Sequence, residues 1–223
     1  MTGRPVIITP MIDAVLSDGK RSRRKEARPG EIVSAALALF ADRGFGATKL
    51  EEVARAAGIA KGTLYLYFPT KEDLFRAVVR QELLPNLERI ESAAAVHQGG
   101  SADLLRLLAS RLSQVMESDL GGIPKLVVSE AGNFPEIAQF YADEVVARAL
   151  RLFDQVLRRG VERGEFRPVE TSHVVPIFIG PLLMMLLWRH SVGRHTDIHF
   201  DHRAVIETHL DILLRGLAPD RVT

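Results

Sequence analysis

The chain has 223 residues, 47% of them hydrophobic and 26% charged, a globular composition that excludes an intrinsically disordered protein. Cysteine is absent, which excludes disulfide frameworks and thiolate metal sites and fits a reducing cytoplasm. The formal charge of +1 hides a division, since residues 1–80 hold 14 Lys and Arg against 9 Asp and Glu, while the remainder hold 15 against 19. A basic N-terminal third on an acidic remainder points to one part that meets a polyanion and one that does not.

Residues 1–27 show no sustained period and contain the basic run Lys20-Arg21-Ser22-Arg23-Arg24-Lys25, so a mobile basic arm is expected there. The apolar stretch Val6–Leu16 precedes that run, the wrong order for a secretory signal. From about Pro29 a helix carries Ile32, Ala36, Leu39 and Phe40 on one face and ends at Gly44, a left-handed cap. Thr48 is expected to open a second helix with Glu51 at the capping-box position. Its apolar face is Leu50, Val53, Ala54 and Ala57, and Gly58 closes it. A third helix follows over Lys61–Tyr67 and stops before Pro69, and Thr70 caps the fourth with Asp73 as partner.

Two short helices joined by an Ala-Gly turn, behind a longer supporting helix, have the geometry of a helix-turn-helix. Ala54 and Ala57 are small enough to let the pair close up, and Leu64 and Phe68 turn into the core. Lys61, Thr63, Tyr65 and Tyr67 are left at the surface, a set that reaches phosphates and base edges in the major groove of double-stranded DNA. Lys49 and Lys71, at the openings of the second and fourth helices, can clamp the DNA backbone on either side.

The C-terminal two thirds read as a helical bundle. One long helix bears Phe134, Ile137, Ala138, Tyr141, Val145, Ala149, Leu152, Phe153 and Val156 as a stripe, with Asn133 and Pro135 at its start and Gly164 at its end. Gly99-Gly100 and Gly121-Gly122 mark loops. The run Val174–Trp188 is shorter than the roughly 20 residues that cross a bilayer, contains Pro176 and Pro181, and reads as a buried helix, so no membrane partner is expected. Ile206, Leu210, Leu213 and Leu217 stripe a last helix capped by Asp201. With Leu182 and Leu186 these residues are too apolar for the surface of a monomer and form the expected homodimer interface. Met116, Phe140, Tyr141, Phe178 and Met184 are candidates for the wall of a ligand pocket, with ordinary core as the alternative.

His195, His199 and His202 lie with Asp197 and Asp201 across a loop and a helix start rather than on one helical face, so no metal site is expected. Glu170-x-x-His173 is half of a di-iron carboxylate motif, and a second half is missing. Neither a Walker loop nor His-Glu-x-x-His is present, and no cofactor is expected. The fold class expected is all-α with about nine helices, divided into the arm, a helix-turn-helix domain at 28–74 and an effector-binding and dimerisation domain at 75–223.

Ile32-Val33-Ser34-Ala35-Ala36-Leu37-Ala38-Leu39-Phe40, with Gly44 and Thr48 after it, resembles the DNA-binding domain of the TetR family. So do Ala57-Gly58-Ile59-Ala60-Lys61-Gly62-Thr63-Leu64-Tyr65-Leu66-Tyr67-Phe68 and Lys71-Glu72-Asp73-Leu74. The resemblance implies a cytoplasmic dimer on an inverted-repeat operator, with an effector pocket in the bundle. It places Lys61, Gly62, Thr63, Tyr65, Tyr67 and Lys71 where family members touch DNA. Two positions depart from the family: Ala60 stands where a capping serine or threonine is frequent, and Leu66 offers only an apolar contact, such as one to a thymine methyl. The expected function is a repressor released by a small apolar or aromatic effector, since the bundle carries aromatic and methionine side chains. The acidic balance after residue 80 repels anions unless a local cation intervenes, in which case Arg148 or Arg151 is the residue to examine. A constitutive DNA-binding protein without effector and a helical-bundle enzyme are the alternatives.

Overall fold

The computed structural model describes residues 29–219, and the expected basic arm lies outside them. Among the described residues there are nine helices and no strand. Helix α1 spans 29–43, α2 Leu50–Ala56 and α3 Lys61–Tyr67. Helix α4 is Lys71–Val78, a π turn at Val79–Leu83 and Leu84–Ala95 in one run. Helix α5 is Ser101–Glu117, and a 3-10 turn at Asp119–Gly121 leads into α6, Gly122–Glu130. Helix α7 is Pro135–Tyr141, a second π turn at Ala142–Val146 and Ala147–Glu162. Helices α8, Thr171–His190, and α9, His202–Leu217, complete the bundle.

The start of the chain folds as its punctuation predicts. Gly44 and Gly58 have φ of 86° and 66°, left-handed values that close α1 and α2 and that a side chain would strain. Thr70 accepts a hydrogen bond from the Asp73 amide and Asp201 accepts one from the Ala204 amide, the two expected caps. The second helix departs from expectation by one residue. Lys49, not Thr48, is the N-cap, and its amide donates to Glu52 rather than Glu51. Thr48 is buried instead, and its hydroxyl sits 2.7 Å from the Gly44 carbonyl and 3.3 Å from that of Leu39, closing the end of α1. Helix α7 starts where Asn133 and Pro135 mark it, with Phe134 as N-cap and Pro135 in its first turn. Gly121, expected in a loop, lies in the 3-10 turn, where a Cβ would stand 2.6 Å from the Met116 carbonyl oxygen and from His190 Nε2.

Two apolar clusters form the interior. The first gathers Ile32, Phe40, Phe45, Val53 and Leu64 and runs past residue 74 through Phe75, Val78, Val79 and Leu83 to Ile123, Leu126, Ile137 and Tyr141. The second is built from α5, α7, α8 and α9 around Leu105, Leu157, Phe178 and Leu182. Helix α8 reaches 20 residues and is long and apolar enough, by length and composition, to cross a membrane. Here Val174, Val175, Phe178, Leu182, Met185 and Leu186 of that helix are packed into the second cluster.

Candidate DNA-reading face and effector cavity

Helix α3 is seven residues long, too short to be stable alone, and is held by burial of Leu64 and of Phe68 at its end. The opposite side carries Lys61, Tyr65 and Leu66, the last 84% exposed. Thr63 and Tyr67 are half-buried at its edges, and the Tyr67 ring packs on the first cluster. A Cβ added at Gly62 meets nothing within 4 Å, so the chain's own packing does not require glycine there. The Lys61 ammonium lies 2.6 Å from Glu51 of α2 and 5.7 Å from the centre of the Tyr65 ring. The hydrogen bond that Lys61 donates to Glu51 raises the Lys61 pKa, so the cation persists at neutral pH. Ala60 provides no side-chain cap, as its residue type requires.

The two outlying lysines have different surroundings. Lys49 is exposed at the opening of α2. Lys71 turns inward, and its ammonium donates to the carbonyls of Phe45 at 2.7 Å, Gly46 at 3.1 Å and Thr48 at 3.2 Å. It also lies 4.5 Å from the centre of the Phe45 ring and 5.6 Å from that of Phe134. Burial lowers its pKa, opposed by Glu72 and Glu130. An ammonium has three N–H groups, so this geometry leaves none for the phosphate clamp expected of Lys71. Its work here is to hold the α1–α2 loop. The same loop is tied to the bundle, because the Gly46 amide donates to Glu130 at the end of α6 over 2.9 Å.

Further along α4, Leu87 and Ile90 border a cavity of about 340 Å3 that is also walled by α5, α6, α7 and α8. Met116 and Tyr141 line it as expected, together with Leu112, Val127, Ala149 and Leu186. Tyr141 is the one lining residue with a side-chain oxygen, and burial pushes its phenol pKa well above the usual range. Phe140, Phe178 and Met184 stand elsewhere. The Phe140 ring lies against the guanidiniums of Arg76 and Arg80, Phe178 is fully buried against Phe153, and Met184 is half in solvent. A larger cleft of about 610 Å3 between α5 and α9 is bordered by mixed charges, among them Arg106, Glu117, Arg203 and Asp211.

The leucine stripes expected at a dimer interface are largely used inside the protomer. Leu182, Leu186, Ile206, Leu210 and Leu217 are buried and Leu213 is half-buried. The apolar side chains left open on these helices are Ile177 (59% exposed), Leu183 and Met184 on α8 and Ile212 (65%) on α9. Among the described residues no three His, Asp or Glu side chains form a group that could hold a metal ion.

Comparison with known proteins fits this arrangement of a reading head joined to a bundle. Residues 32–78 match the bacterial regulatory proteins of the tetR family, and residues 99–202 match the tetracyclin repressor-like C-terminal domain. The chain belongs to the TetR family of transcriptional regulators. It is similar to the HTH-type transcriptional regulator RutR of Escherichia coli (strain K12), with 28% identity covering 73% of this chain and 75% of that protein. The HTH-type transcriptional repressor KstR of Mycolicibacterium smegmatis is 28% identical over 82% of this chain and 84% of its own. Among solved structures, the fatty acid degradation regulator FadR from Bacillus halodurans is 25% identical, with a TM-score of 0.70, covering 84% of this chain and 98% of that one. FadR from Bacillus subtilis in complex with stearoyl-CoA shares the fold at a TM-score of 0.71 and 23% identity, with the same coverage.

The sequence pattern missed most of the cavity wall. Leu87, Ile90, Leu112 and Ala149 recur at the helical spacing of core residues, and that spacing does not distinguish a side chain that meets a neighbour from one that meets a void.

Proposed function

We propose that the protein is a cytoplasmic, dimeric repressor that holds an inverted-repeat operator and releases it when an uncharged or amphiphilic apolar molecule fills the cavity. Helix α4 carries this reading, because one continuous helix begins beside α3 at Lys71 and borders the cavity at Leu87 and Ile90. A molecule that repositions α4 therefore repositions the reading head. A coupling of about 1–3 kcal/mol would change operator affinity roughly five- to 150-fold.

Lys61, Thr63, Tyr65 and Tyr67 form the DNA face, with Lys49 on the backbone and Leu66 available to a thymine methyl. Gly62 suits close approach of that backbone, since its own chain leaves the space beside it open. Dimerisation places two such faces about one DNA turn, roughly 34–36 Å, apart or at a larger separation in register. Its interface is best supplied by Ile177, Leu183, Met184 and Ile212, the apolar side chains that the protomer leaves uncovered. Binding rather than catalysis is favoured because the cavity holds no acid–base pair, only the Tyr141 phenol. A fold-mate solved in complex with stearoyl-CoA supports a small-molecule ligand for a protein of this fold.

The test is release. Genomic fragments retained by the full chain define the operator, and apolar compounds that raise its melting temperature are then titrated into the complex. Ala149→Phe places a ring in the cavity and is expected to keep operator affinity within about threefold while abolishing release. A variant released as readily as the parent would put the effector elsewhere.

A further inference from the structure

Helices α4, α5 and α7, which wall the cavity, also border a second space of different chemistry. Glu91 of α4, Leu104 of α5 and Arg148, Arg151 and Arg159 of α7 border an open groove of about 350 Å3, while Leu87, Ile90, Leu108 and Ala149 of the same helices face the cavity. Leu152 borders both spaces. The cavity wall has one hydroxyl group, whereas the groove has three guanidiniums, from Arg148, Arg151 and Arg159.

Those three cations are differently occupied. Arg148 is neutralised by Glu91, with Nε–Oε1 and NH2–Oε2 distances of 3.1 and 2.6 Å, and Glu88 and Glu144 add to the field around it. Arg159 donates to the backbone carbonyls of His97 and Gly99 at 3.1 and 2.8 Å, and its Nε is buried without an acceptor. Among the described residues neither Arg159 nor Arg151 has a carboxylate within ion-pair distance, and Arg151 stands exposed at the groove without a hydrogen bond. Two cations without ion-pair partners thus lie on a groove that shares the Leu152 side chain with the apolar cavity. The acidic balance of the C-terminal part, which argues against an anionic ligand, is reversed locally.

We propose that the effector is an amphiphile, with its apolar chain in the cavity and an anionic head, phosphate or carboxylate, on Arg151 and Arg159. This rests on the reading of the cavity as the effector site. A guanidinium binds such oxygens by charge-assisted, often paired, hydrogen bonds, and the chain reaches the cavity past Leu152.

Five probes separate head from chain: decyl phosphate, decanoate, decanol, decyltrimethylammonium and inorganic phosphate, each below any micelle-forming concentration. Binding to the full chain is followed by calorimetry and release by loss of operator complex. An anionic amphiphile is expected to bind about tenfold more tightly than decanol, with the cation weakest and inorganic phosphate alone too weak to release DNA. The better of the two anions identifies the head. Arg151→Ala breaks no internal bond and is expected to reduce the tenfold advantage to about twofold while leaving decanol binding unchanged. Anions and decanol binding equally, or an advantage that survives Arg151→Ala, would overturn the assignment of the head and leave the cavity reading intact. If no decyl compound binds and Ala149→Phe alters nothing, the cavity reading fails and the head assignment fails with it.

Discussion

The two apolar clusters are built differently. Around Phe45 the rings of Phe40, Phe75 and Phe134 lie with centroids 5.4, 5.8 and 4.8 Å away, and the Lys71 ammonium sits 4.5 Å from the Phe45 ring. The second cluster, around Leu105, Leu157 and Leu182, is mostly aliphatic, and the cavity opens at the border between the two. Val127 and Tyr141 of the first cluster and Met116, Leu152 and Leu186 of the second face the same space. Close packing of rings ties α1 and the α1–α2 loop to α4 and the start of α7, which gives the DNA-reading surface a fixed base. An apolar void at the border leaves surface that a guest can cover, and the guest then contacts both halves at once.

Three substitutions probe the contrast. Phe45→Ala removes the ring at the centre of the packed end and should cost about 3–5 kcal/mol of stability, with operator binding lost as the head loosens. Chemical denaturation measures it, and a loss below about 1 kcal/mol would mean that the rings are not what fixes the head. Ile177→Asp leaves the protomer's interior alone, because the side chain is open in it, but sets a charge against its symmetry mate in the proposed dimer. We expect association to weaken by roughly a hundredfold, about 3 kcal/mol, with an unchanged protomer fold. Sedimentation that reports the parental dimer would move the interface off this face. Lys71→Met has the smallest effect, about 1–2 kcal/mol, from three carbonyls that lose a charged donor. Its salt dependence of DNA binding is the sharper measurement. The slope should stay within about half a unit of the parent, and a fall of about one unit would place the ammonium on a phosphate after all.

How far the sequence could be read differs along the chain for physical reasons. The limits of α3 follow from Gly58 before it and Pro69 after it, residues whose backbone restrictions act locally. The cap of α2 falls one residue later than its pattern predicts because the Thr48 hydroxyl can pair with an amide or a carbonyl, and it donates to the Gly44 carbonyl, a choice made by the fold of the loop. Lys71 reads as a surface cation until Phe45, Gly46 and Thr48 are brought around it, 23 to 26 residues away in sequence. Helix α8 is apolar on nearly every side, so Leu182 facing inward and Ile177 facing outward have no difference in pattern to betray them. The cavity is the hardest case, because a void is a property of what does not fit together and no single residue type marks it.

Because Phe75, Val78, Val79 and Leu83 belong to the cluster that holds α1 to α3, the DNA-reading end has no clean border at residue 74. This bears on exchanging heads between relatives. A graft joined at residue 74 would take these four residues from the host, which has no reason to match their shapes. One joined after the π turn at Val79–Leu83 would carry those four, leave Leu84 and the bundle residues Ile123, Leu126, Val127, Ile137 and Tyr141 of the cluster to the host, and meet it just before the cavity wall begins at Leu87. The helix that joins the two activities is therefore also the place where they are best exchanged, a few residues later than the end of the motif that is recognised by eye.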